Sequence, residues 1–117
     1  MRITSRELNK LLVDKLPNLQ QKYAEEISWQ EGDETGSHVV YGDVLTPYLS
    51  ECISKDNQKA LKLVFGFLEN LLELNDEYVT EVVSFSVLES LACFMREKDY
   101  LTIYLGQKCK EILDEIN

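Results

Sequence analysis

A single histidine leaves this 117-residue chain with little of the chemistry on which catalytic and metal sites depend. His38 has no second imidazole for an H-x-x-x-H pair, and no Cys/His cluster with metal-ligand spacing occurs. A glycine-rich phosphate loop and a G-x-S-x-G elbow are both missing. No run approaches the ~20 consecutive apolar residues of a membrane helix. The opening stretch MRITSRELNK lacks the apolar core and cleavage site of a secretory signal. The expectation is one cytoplasmic domain over residues 1–117, non-catalytic, without membrane contact, cofactor or metal. With twenty-one acids in the chain, nearness of two carboxylates says nothing specific about acid–base catalysis. The three cysteines, Cys52, Cys93 and Cys109, are odd in number, far apart and set in apolar helical stretches, so they read as buried free thiols.

Basic residues are missing from two long segments. Between Lys22 and Lys55 stand Glu25, Glu26, Glu31, Asp33, Glu34, Asp43 and Glu51, and between Lys62 and Arg96 stand Glu69, Glu73, Asp76, Glu77, Glu81 and Glu89. Such a surface repels phosphate backbones, whose binding rests on Lys and Arg, so nucleic acid is excluded as the expected ligand. A basic protein would be attracted. Charge of this size also serves solubility alone.

What is present in abundance is the 3.6-residue apolar period. Thr4-Ser5-Arg6-Glu7 is a capping box for a first helix with Leu8, Leu11, Leu12 and Leu16, ended by Pro17. Leu19, Tyr23 and Ile27 continue a helix pair over 4–28. Residues 29–42, with three glycines and several acids, read as an ordered loop. Asp43 is the expected cap of a third helix that holds Pro47 in its first turn, where the missing N–H has no intrahelical partner. Asp56 is the expected cap of a fourth over 57–74, Asn75-Asp76 of a fifth over 77–95, and Asp99 of a sixth over 100–116. The fifth is apolar nearly all round, which marks a buried helix.

The phrase FGFLENLL at 65–72 returns as FSVLESLA at 85–92, and Asp76-Glu77-Tyr78-Val79 is echoed by Lys98-Asp99-Tyr100-Leu101. Copied helical units recur where similar packing does. Glu69 and Glu89, repeated beside the apolar stripe, read as edge carboxylates, solvated or bonded to a neighbouring helix end. The expected fold is all-α, about six helices in antiparallel pairs forming a short HEAT-like array.

The order L-P-N-L (16–19), I-S-W (27–29) with its acidic glycine-containing loop, H-V-V-Y-G-D-V-L-T-P-Y-L (38–49), F-x-x-L-E-x-L twice, and Y-L-G-Q-K-C-K-E-I-L (104–113) resembles a family of small, poorly characterised bacterial helical proteins with a HEAT-like arrangement. The resemblance covers most of the chain. It implies an immunity protein of contact-dependent or related polymorphic toxin systems: an inhibitor that binds a cognate toxin, a basic nuclease domain, and blocks its active site. No residue map of the interface comes with it. Loops carry recognition, and aromatic residues anchor charged rims. The expected contact residues are therefore Glu25, Glu26, Trp29, Glu31, Asp33 and Glu34, with Glu73, Asp76, Glu77 and Glu81; packing of Trp29 under the loop is the competing reading. A cytosolic helical adaptor holding a non-toxin partner is the alternative function. A small hydrolase built on His38 ranks last.

Overall fold

Thr4 opens the first helix as its spelling requires. Its hydroxyl accepts from the Glu7 N–H at 3.2 Å while the Glu7 carboxylate reaches back to the Thr4 N–H at 3.3 Å. The computed structural model of the chain describes residues 3–116, without the side chains of Asp33, Cys93, Met95, Arg96 and Asp99. Helix α1 (Ser5–Lys15) stops before Pro17, and a 3-10 turn at Pro17–Leu19 leads straight into α2 (Gln20–Ser28). Four more rods follow: α3 (37–54), α4 (Gln58–Leu72), α5 (77–97) and α6 (Gln107–Ile116). Short turns at 55–57 and 73–76 fold α3, α4 and α5 back on one another. Among the described residues there is no strand, and the all-α, six-helix expectation is the fold observed.

Three boundaries differ from the sequence reading, each for a tertiary reason. The third helix begins at Ser37, ahead of Asp43, and runs through Pro47 because it widens to a π-helix at Tyr41–Leu45 immediately before the proline. That widening relieves the clash a proline ring makes with the preceding turn. Asp43 is therefore an exposed residue inside a helix and caps nothing. The fourth helix is capped by Asn57, whose side chain accepts from the Ala60 N–H at 3.2 Å, while Asp56 takes the left-handed conformation (φ 51°) that closes α3. Finally, residues Asp99–Tyr104 form a 3-10 helix, and α6 starts only at Gln107.

Helix α5 carries a second π-helical segment at Val82–Leu88, and the two π segments pack against each other. The Thr46 hydroxyl lies 2.7 Å from the Ser86 carbonyl oxygen and 3.1 Å from that of Tyr41, so it inserts where both helices have loosened their i→i−4 ladders. Gly42 faces Ser86 at this crossing. Val79, Val82, Val83, Val87, Leu88, Leu91 and Ala92 of α5 are buried against α3, α4 and α6, yet Phe85 is 62% exposed, so one face of this apolar helix stays open.

A single core joins Leu8, Leu12, Leu16, Tyr41, Leu45, Leu61, Phe65, Leu68, Val83, Leu88 and Leu101. The radius of gyration, 13.5 Å, matches the ~13.4 Å of a compact domain of this length. Cys52 and Cys109 are buried free thiols, as expected; the Cys93 side chain lies outside what is described. Burial, with the Glu69 charge, pushes the Cys109 thiol up to about 12.

Candidate binding surface

The recurring phrase resolves into two different environments. Glu69 accepts from the Lys108 N–H at 3.0 Å and the Cys109 N–H at 3.1 Å, capping α6 from across the core. Gly106 leaves room for it, since a Cβ there would overlap the Glu69 carboxylate. Glu89, its counterpart, is exposed on α5.

The acidic segments meet at the N-terminal end of α1. On one side lies the 29–36 loop. Asn9, fully buried on α1, donates from Nδ2 to the Thr35 carbonyl at 2.8 Å and accepts at Oδ1 from the Ser37 hydroxyl at 2.8 Å. The Thr35 hydroxyl donates to the Gly32 carbonyl at 2.6 Å, where Gly32 turns with φ 63°. On the other side lies the start of α5. The Tyr78 hydroxyl is hydrogen-bonded to Ser5 Oγ at 2.7 Å and accepts from the Ser37 N–H at 3.2 Å. One network thus ties the loop, α1 and α5 together, and no buried side-chain nitrogen or oxygen among the described residues lacks a partner.

The residues singled out from sequence divide accordingly. Glu25 and Trp29 are exposed and Glu26 is half-buried, all at the C-terminal end of α2; Trp29 is 69% exposed, so it does not pack under the loop. Glu31 and Glu34 are exposed in the loop, and Glu34 pairs with Arg6 at 3.3 Å. The Asp33 side chain lies outside the described residues. Across α1, Glu77 and Glu81 are exposed and line, with Asp76 and Tyr78, a depression of about 280 Å³. Asp76 itself is buried and satisfied, accepting from the Ile3 N–H at 2.8 Å and the Val79 N–H at 3.0 Å. These two donors, Ile3 first, hold its carboxyl below the usual aspartate value. Asp76 therefore builds the rim and does not offer a free charge. Glu73 stands exposed in the turn before it, outside the depression.

His38 is exposed, with Nδ1 2.9 Å from Ser86 Oγ and its ring edge-on to Tyr78 at 5.9 Å. No group of three His, Cys, Asp or Glu among the described residues is arranged to hold a metal ion. No helix among them is long and apolar enough to cross a membrane. Sequence reasoning missed Asn9, Ser37 and Tyr78. Asn9 carried a signal: it stands at i, i+3 and i+7 with Leu12 and Leu16, a polar residue on the buried stripe.

No curated protein and no solved structure matches the chain. A family model, Domain of unknown function (DUF7674), matches residues 9–117, nearly the whole chain, and the protein belongs to that family.

Proposed function

We propose that the protein is a non-catalytic binding protein, an immunity protein that neutralises a cognate basic toxin domain by stoichiometric occupation of its active-site cleft. The observation that carries this reading is the meeting of two carboxylate-rich segments at one end of α1, locked there by Asn9, Tyr78 and Ser37. An anionic rim holding Glu31, Glu77 and Glu81, with Glu34 paired to Arg6 among them and Trp29 on the loop's approach, suits a cationic cleft. Pre-positioned charges steer encounter, and an exposed aromatic supplies apolar contact at low entropic cost. Glu25 and Glu26 extend the same charge along α2. The resemblance of the 16–49 and 104–113 stretches to a family of small bacterial helical proteins implies the same role.

The test is capture of partners from the native host, followed by co-expression with the captured protein. The proposal expects a basic, toxic partner whose growth inhibition is relieved by this chain and not by a variant with Glu31, Glu34, Glu77 and Glu81 changed to Gln. A captured partner that is neither basic nor toxic would reject the immunity reading in favour of a cytosolic adaptor. A large secreted toxin gene directly upstream would favour immunity before any protein is made.

A further inference from the structure

The outer face of α4 carries a groove whose character is opposite to that of the acidic rim. A depression of about 560 Å³ runs over Ala60, Leu63, Gly66 and Phe67, and a second of about 340 Å³ continues it past Leu11 and Leu74; the two share Lys15, Phe67 and Asn70. Leu11, Leu63 and Leu74 are 39%, 43% and 49% exposed and line it together. Phe67 forms a firm floor, stacked on Tyr41 at 6.5 Å. Lys15, Lys59 and Lys62 stand on its rim, and none of the three has an ion pair among the described residues, while Asp14, which also lines it, is paired with Lys10 at 3.2 Å; in the whole chain acids outnumber bases 21 to 12.

The shape and the chemistry each restrict the occupant. With walls made of helix side chains and no strand edge among the described residues, an extended peptide would bury backbone groups without partners, whereas a helix brings its own satisfied. Lys59, Lys62/Leu63, Gly66 and Asn70 form a stripe at helical spacing whose midpoint is a glycine with open space around its Cβ position, a low point where another helix can cross closely. Along α4 from residue 59 to 72 the groove is roughly 20 Å long, between three and four helical turns. We propose that it docks an acidic amphipathic helix of a partner protein, laid over Gly66 with apolar residues on Leu11, Leu63 and Leu74 and carboxylates against Lys15, Lys59 and Lys62. At physiological salt, charges beyond about 8 Å are screened, so the local lysines outweigh the net −9 of the whole chain.

The probes are two synthetic helical peptides of about 16 residues, with leucines at i, i+3, i+7 and i+11 and flanking positions filled by Glu in one and Lys in the other. Binding is read by fluorescence anisotropy and by backbone amide shifts. The Glu peptide is expected to bind about tenfold more tightly, with shifts confined to α4, the turn after it through Leu74, and the C-terminal half of α1. Changing Lys15, Lys59 and Lys62 to Glu reverses the preference. Gly66→Leu keeps the thermal midpoint and abolishes binding. Equal or stronger binding of the Lys peptide, shifts elsewhere, indifference to Gly66→Leu, or sedimentation showing a second copy of the chain in the groove would each overturn the proposal. Acid-rim variants leave peptide binding unchanged, so this inference and the toxin reading fail separately.

Discussion

Glu69 and Glu89 occupy the same place in two copies of one phrase, yet only Glu69 holds a helix end. Glu69→Ala is expected to cost about 1–2 kcal/mol in chemical denaturation, the range for losing a cap, while Glu89→Ala stays within about 0.5 kcal/mol. Gly106→Ala should resemble Glu69→Ala because the added methyl displaces the same carboxylate, and the double variant should cost less than the sum. Asp76 gives a pH signature. Its folded pKa lies below the ordinary value of about 3.9 because Ile3 and Val79 donate to the ionised form. The stabilisation is thus complete at neutral pH and is lost as pH falls through the folded pKa. Asp76→Asn should lower the thermal midpoint by a few degrees at pH 7 and flatten its decline between pH 5 and pH 2; an unchanged acid limb would contradict this account of the cap.

At the scale of elements, the network between α1, the 29–36 loop and α5 sets what the rim can do. Asn9→Leu leaves the Thr35 carbonyl without its buried donor and the Ser37 hydroxyl with only the Ser5 carbonyl, 3.2 Å away, to accept from it, an expected loss of about 1–3 kcal/mol, and amide exchange should quicken at 32–37 before the core opens. Local signals made much of the fold legible. The Thr4 box, the stop at Pro17, the Asp76 cap and the apolar stripes all act within a turn or two. What escaped was decided across the chain. The start of α3 depends on Asn9, 26 residues from Thr35, and the late start of α6 depends on Glu69, 39 residues from Lys108. Pro47 read as a first-turn residue because nothing in its neighbourhood announces the π-helical widening that Thr46 and Ser86 share. The acidic segments were visible from composition alone; that Asp76 is engaged by backbone donors, and that Glu34 has Arg6, needed the fold.

For the whole molecule, the distribution of charge matters more than its sum. A compact body with one core carries carboxylates around one end of α1, with Arg6 among them, and lysines without an ion pair among the described residues along α4. The rim's role in encounter predicts an association rate that falls steeply with salt, since steering contributes roughly 10–10³-fold at low ionic strength. Trp29→Ala should instead raise the dissociation rate with little change in association, because a short-range apolar contact forms after encounter. The most direct measurement is stopped-flow association with the captured partner domain from about 0.05 M to about 0.5 M salt, comparing the natural chain with the variant in which Glu31, Glu34, Glu77 and Glu81 are Gln. The account predicts a shallower salt dependence and a slower low-salt rate for the variant; identical salt slopes for the two proteins would contradict it.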